Sequence, residues 1–127
     1  MKKISPAVYL AAFTILVMSA VIVLAIVKNN KPGAYDALAQ CLTDQGVVMY
    51  GTWWCPNCQH QKDDFGASFK KINYVECSPG GIREFSPSCL DLGIDSVPRW
   101  IFPTGEPMIG YQPLAALAER SGCPLTQ

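Results

Sequence analysis

The pattern of apolar and polar positions divides the chain into two unlike parts. From Ala7 to Val27 the residues are continuously apolar apart from Tyr9, Thr14 and Ser19. A helix of that length rises about 30 Å, the thickness of a bilayer core. The polar stretch Lys28-Asn29-Asn30-Lys31-Pro32-Gly33 follows and reads as a short linker with a Pro-Gly breaker. Beyond it the apolar runs are short and separated by breakers. Tyr35, Leu38, Cys41 and Leu42 recur at helical spacing between Tyr35 and Gln45, with Gly46 as the stop. Val47 to Tyr50 is too short for a helix and reads as a buried strand. Gln59 to Lys71 is amphipathic, with Pro56 suited to the first turn and Gly66 expected to interrupt it.

Ile72 to Cys77 alternates and predicts a second strand, closed by Ser78-Pro79-Gly80-Gly81. An irregular loop runs on to Phe85. Ser86-Pro87 is an N-cap and first-turn pair, so Pro87 to Leu92 forms a short helix that Gly93 ends. Trp100 to Phe102 is a third strand, and Met108 to Tyr111 returns from the turn Pro103-Thr104-Gly105-Glu106. Pro113 to Ser121 is a last helix with Leu114, Leu117 and Ala118 on one face, stopped by Gly122. Strands joined through helices are expected to run parallel and the final hairpin antiparallel. The expected fold class is therefore α/β, with one mixed four-stranded sheet flanked by helices and preceded by one transmembrane helix. The expected division is residues 1–31 as anchor and linker and 32–127 as the folded domain.

Charge sharpens this division. The chain is neutral overall, which gives no indication of nucleic-acid binding. Residues 32–127 nevertheless hold six Lys/Arg against ten Asp/Glu, a net of −4. The other four cations, Lys2, Lys3, Lys28 and Lys31, bracket the apolar run. A cleaved signal peptide would have a shorter apolar region, about 7–15 residues, and a small-x-small site behind it. Ile26-Val27-Lys28-Asn29 offers none, so an uncleaved anchor is preferred. Lys2, Lys3 and the α-amino group tip the orientation toward a cytoplasmic N-terminus. Six cysteines in so small a chain fit an oxidising compartment. The expected location is the cytoplasmic membrane, crossed once, with the C-terminal domain extracytoplasmic.

The chemistry concentrates in Trp53-Trp54-Cys55-Pro56-Asn57-Cys58. A strand, a Cys-x-x-Cys turn and a helix place a thiol at free backbone N–H groups and the positive end of the helix dipole, an arrangement that makes one thiol acidic. Cys55, nearest the helix start, is the expected nucleophile, and Cys58, one turn inside, the resolving thiol. A structural disulfide and half a zinc site are the plain alternatives; a zinc site needs about four N or S ligands, and no second Cys-x-x-Cys is present. Cys77 and Cys89 bracket the Pro/Gly loop and read as a staple in preference to a second redox pair. Cys41 and Cys123 remain and pair by elimination, with a free buried Cys41 as the alternative. His60, Asp63-Asp64 and Lys70-Lys71 read as solvated helix faces, His60 on a polar face with Gln59, Gln61 and Lys62, and Asp95 as a loop residue.

This order of elements, with the cysteine pair opening the second helix of the domain and Val97-Pro98 before the third strand, resembles the thioredoxin superfamily over about residues 35–122. Met49 to Cys58, Phe65-Gly66, Tyr74-Val75-Glu76-Cys77 and Leu114 to Gly122 are similar to the thioredoxin-like domain fused to bacterial vitamin K epoxide reductase homologues. The resemblance implies thiol–disulfide exchange without metal or organic cofactor. Its implied partners are secreted or periplasmic protein thiols and disulfides and, as a separate chain, a quinone-linked membrane oxidoreductase. It implies a cis Pro98 beside the thiols, leaving backbone free for an extended substrate. The substrate-contacting set is then Trp54, Pro56, Asn57, Val97, Pro98 and Arg99; because strand side chains alternate, one of Trp53 and Trp54 is expected inward and the other near the thiols, with Trp54 in the second role. Three positions depart from the family pattern. Met49 stands where a buried Asp is usual, Asn57 where strongly oxidising relatives have His, and Arg99 where Thr is common. An Arg99 guanidinium reaching the thiols would restore part of the lost stabilisation. The family's potentials run from roughly −270 to −120 mV. Oxidation of substrates is the direction the resemblance favours; reductase or isomerase activity, a copper or zinc chaperone and a non-catalytic peptide-binding domain are the alternatives.

Overall fold

The structure is a computed structural model that describes residues 5–29 and 32–126. Lys2, Lys3 and Lys31, on which the orientation argument draws, lie outside the described residues, as does Gln127. The chain divides into two units, Met1–Lys31 and Pro32–Gln127. In the first, helix α1 (Pro6–Asn29) is long and apolar enough to cross a membrane over Pro6–Lys28.

The second unit has a thioredoxin-like α/β fold. Its elements in order are α2 (Asp36–Asp44), β1 (Val48–Gly51), α3 (Pro56–Phe65), β2 (Tyr74–Glu76), α4 (Pro87–Asp91), β3 (Arg99–Ile101), β4 (Met108–Ile109) and α5 (Leu114–Ser121). Sequence punctuation sets their limits. Pro56 occupies the first turn of α3 and Pro87 that of α4, where Ser86 Oγ accepts the Cys89 N–H at 3.4 Å. Gly122 caps α5 in the left-handed region. Gly66, at φ 53°, ends α3, and the chain continues as a 3-10 turn over Gly66–Lys71.

The four strands lie in the order β2-β1-β3-β4. β1 and β2 are parallel, with Met49 opposite Tyr74 and Gly51 opposite Glu76. β3 is antiparallel to both β1 and β4, with Met49 opposite Trp100. The expectation that every helix-joined strand pair runs parallel is corrected here, because β3 runs opposite to β2. The connection between them stays at one end of the sheet: Cys77 is bonded to Cys89 with Cα atoms 5.7 Å apart, and the Ser86 N–H donates to the Cys77 carbonyl. Cys77 directly follows β2, so α4 is held at the end of the sheet where β2 finishes, and β3 sets out from that end.

Alternation along the strands separates two apolar clusters. Met49 and Trp100 pack with Leu38, Leu42, Phe65 and Leu117 on one side, and Tyr74 joins them. Tyr50, Val75 and Ile101 pack on the other with Cys77, Cys89 and Ile94. A second disulfide, Cys41–Cys123, ties α2 to the residues after α5 across a separation of 82 positions, so Cys41 is not free.

Candidate dithiol site at the start of helix α3

Cys55 is the N-cap of α3 and has extended backbone. Its Sγ accepts the Cys58 backbone N–H at 3.2 Å, one of the donors that every helix start leaves without an intrahelical partner. The Cys55 thiol in turn donates to the Val97 carbonyl at 3.6 Å. The Val97–Pro98 peptide bond is cis, and Pro98 is buried. Cys55 and Cys58, at the start of α3, therefore meet the loop that carries Val97 and Pro98, with β2 and α4 between them in the chain. Cys55 and Cys58 are the free cysteines among the described residues. Pro56 and Asn57, between them in sequence, are exposed.

The two thiols differ. Cys58 is fully buried, and burial first, then its hydrogen bond to Cys55, push its thiol up to about 12. A backbone hydrogen bond with Thr52 and the Lys62 charge act the other way. Cys58 consequently holds its proton at neutral pH.

Several expected positions lie elsewhere. Trp53 and Trp54 belong to the turn after β1, so strand alternation does not govern them, and neither is buried in the core. Trp53 is 42 % exposed, with the Arg83 guanidinium over its ring. Trp54 is half-buried, donates from Nε1 to Ser78 Oγ at 3.0 Å and meets Phe85 edge-on. Trp100 is the tryptophan of the core. The Arg99 guanidinium engages the loop before Pro98, where it donates to the Gly93 carbonyl at 2.5 Å, Asp95 Oδ1 at 3.0 Å and Ser96 Oγ at 2.8 Å. It secures that loop. His60 stacks on Tyr111 and lies 3.7 Å from Asp64 on an exposed face. No group of three or more His, Cys, Asp or Glu among the described residues is arranged to hold a metal ion.

Four neighbours of the site escaped the sequence reading. Gln61 sat among polar helix residues, but it is fully buried and pairs with both backbone groups of Gln112. Lys62 Nζ lies 4.0 Å from the centre of the Tyr74 ring. The Tyr74 hydroxyl donates to Glu76 Oε2 at 2.7 Å. Glu76 Oε1 accepts from the backbone N–H groups of Trp53 and Ser78, tying the turn before Cys55 to the end of β2. The available signal was the strand period, which places Tyr74 and Glu76 on the same face as Met49 and Gly51.

A thioredoxin-like fold with a free cysteine pair at the start of a helix, facing a cis proline, defines a class of dithiol domain. Within it, the chain is 40% identical over 95 residues to the thiol-disulfide oxidoreductase LTO1 of Arabidopsis thaliana. The match takes in 72% of this chain and 25% of that protein, so the chain spans about a quarter of the length of the curated relative it matches. No protein-family model matches the chain.

Proposed function

We propose that the protein is a membrane-anchored, extracytoplasmic thiol–disulfide oxidoreductase that cycles Cys55 and Cys58 between dithiol and disulfide. The observation that supports this most directly is the asymmetry of the pair. Cys55 sits at the helix cap beside the Val97 carbonyl, while Cys58 is buried one turn inside with its proton retained. A nucleophile that meets the substrate and a resolving thiol that waits behind it need that arrangement. The name of the plant relative supports the same chemistry.

In the oxidising direction, a substrate thiolate attacks Cys55 of the disulfide and Cys58 leaves. A second substrate thiol then attacks the mixed disulfide, and the reduced pair is reoxidised by a quinone-linked membrane partner. Trp54, Pro56, Asn57 and Val97 are the surface that meets the substrate, the buried Pro98 backs it, and Arg99 serves it by fixing the loop before Pro98. Helix α1 keeps the domain at the membrane, with its N-terminus in the cytoplasm. The test is the potential of the Cys55–Cys58 couple in the full chain, equilibrated with glutathione. A value between about −270 and −120 mV is expected, and one below about −300 mV, the range of inert structural disulfides, would overturn the reading.

A further inference from the structure

Resolution of a mixed disulfide requires Cys58 to lose its proton, and its surroundings oppose that. The thiol is buried with no exposure, and its affinity for the proton is raised to about 12. Burial, the largest cause, persists when Cys55 is joined to a substrate and disfavours the Cys58 thiolate. A proton acceptor within the domain is therefore needed for fast exchange. Strand β1 presents none on this face, only Met49 and Gly51.

Strand β2 presents one. Tyr74 and Glu76 lie opposite Met49 and Gly51 in register. A Cβ placed on Gly51 would stand 3.0 Å from the Tyr74 hydroxyl and 3.3 Å from Cys58 Sγ. The hydroxyl and the thiol thus border the same small space, which only glycine leaves open. On its other side the hydroxyl is bonded to Glu76 Oε2 at 2.7 Å. Glu76 is half-buried at the edge of the sheet, where a proton can exchange with water.

We propose that Glu76, working through the Tyr74 hydroxyl, accepts and returns the Cys58 proton during exchange. The inference rests on the dithiol cycle proposed above. In resolution, Cys58 sulfur bonds to Cys55 Sγ as the bond from Cys55 Sγ to the substrate sulfur breaks, and the electron pair departs with the substrate thiolate. The Cys58 proton moves to Tyr74 Oη as the Tyr74 proton moves to Glu76 Oε2. In the opposite direction Glu76 returns it to Cys58 as that sulfur leaves. Once Cys55 holds a substrate sulfur it no longer accepts the Cys58 thiol proton, which turns the thiol toward Tyr74.

The groups around Cys58 fit this assignment. α3 contributes Cys55 and Lys62, β2 contributes Tyr74 and Glu76, β1 turns only Met49 and Gly51 to this face with Tyr50 on the other, and β3 adds Trp100 to the core. Burial, the Glu76 hydrogen bond and the nearby thiol charges all push Tyr74 up, so its hydroxyl passes a proton without resting as an anion. Lys62, over the Tyr74 ring, favours negative charge on Cys58. Tyr74 and Glu76 are positioning residues that act through Cys58.

The test uses the reduced full chain in detergent and 5,5′-dithiobis(2-nitrobenzoate) under stopped flow. Attack by Cys55 releases one thionitrobenzoate, and attack by Cys58 on the resulting mixed disulfide releases the second. With Glu76→Gln and with Tyr74→Phe, the first phase should stay within about twofold of the unsubstituted chain, while the second slows about tenfold or more at pH 7. The difference should narrow as pH rises toward 10, where hydroxide takes over as base. Glu76→Gln keeps an oxygen for the Trp53 and Ser78 N–H groups, and Tyr74→Phe keeps the packed ring, so either variant decides if the other fails to fold. A second phase unchanged in both, or both phases slowed by one factor at every pH, overturns the proposal. Failure of the dithiol cycle itself reads differently: the unsubstituted chain would then show no two-phase release.

Discussion

The backbone N–H of Cys58 points at the Cys55 sulfur from 3.2 Å, while the Cys58 sulfur itself lies fully buried behind it. One helical turn thus gives the two thiols of a single motif different access to reagents. Cys55 keeps 6 % exposure at the helix cap, and Cys58 keeps none. In the reduced chain at pH 7, iodoacetamide is expected to label Cys55 first, with Cys58 modified only after unfolding. Peptide mass spectrometry over a time course checks this, and equal labelling of both would contradict it.

Protonation of Cys58 links stability to pH. Burial and the Cys55 hydrogen bond raise the folded-state thiol from an ordinary 9.0 to about 12. Between those values the unfolded chain has lost the proton and the folded chain retains it, so folding is favoured below about pH 9 and progressively less above it. The limiting slope is about 1.4 kcal/mol per pH unit. The oxidised chain has no thiol at Cys58 and lacks this dependence. Denaturant titrations from pH 8 to 11 should therefore show the reduced form losing stability relative to the oxidised form as pH rises. A constant difference would refute the assignment.

Gly51 is required by a close approach. Its φ is unremarkable, but an added Cβ would meet the Tyr74 ring at 2.8 Å and Cys58 Sγ at 3.3 Å. Tyr74 is held by Glu76, by Phe69 edge-on and by Lys62 above, so it cannot yield freely. Gly51→Ala is expected to destabilise the domain by about 1–3 kcal/mol, the usual range for overpacking. Urea unfolding measures it.

Much of this was legible because the signals were local. Gly66, Pro56, Pro87 and Gly122 fix element ends through backbone geometry alone, and four-residue apolar runs are too short to be anything but strands. The direction of β3 was not legible, since the placement of α4 at the end of β2, where Cys77 meets Cys89, is a tertiary fact. The partners of Arg99 were hidden for a similar reason: its three acceptors, Gly93, Asp95 and Ser96, converge only once the loop before Pro98 has folded. Trp53 and Trp54 escaped the strand rule because β1 ends two residues before Trp53. Gln61 looked like surface because one buried amide among exposed polar neighbours leaves no periodic trace.

That amide makes a specific claim on stability. Gln61 Oε1 accepts the Gln112 N–H at 2.8 Å, and its Nε2 donates to the Gln112 carbonyl at 2.9 Å. The side chain thus joins α3 to the segment entering α5 as a second backbone would. Gln61→Leu keeps roughly the same volume but deprives both Gln112 groups of their partner. The expected cost is about 1–3 kcal/mol, read as a lower denaturation midpoint with unchanged slope. Gln61→Glu preserves the acceptor alone and should fall between the two.

The two disulfides should separate stability from activity. Cys41–Cys123 closes a loop of 82 positions and ties α2 to the residues after α5, whereas Cys77–Cys89 closes 12 and holds α4 beside the loop leading to Pro98. In the chain-entropy account these closures contribute about 4.5 and about 3 kcal/mol. Replacing Cys41 and Cys123 together with Ala should therefore cost more in global stability, yet leave the rate of Cys55 exchange near its original value below the melting temperature. Replacing Cys77 and Cys89 should cost less by denaturation but slow exchange, because the Val97 carbonyl and Pro98 opposite Cys55 lose their fixed support. Guanidinium unfolding and the stopped-flow first phase, measured on both double variants, give the comparison. If both lose exchange in proportion to stability, the Cys77–Cys89 bridge has no particular hold on the site.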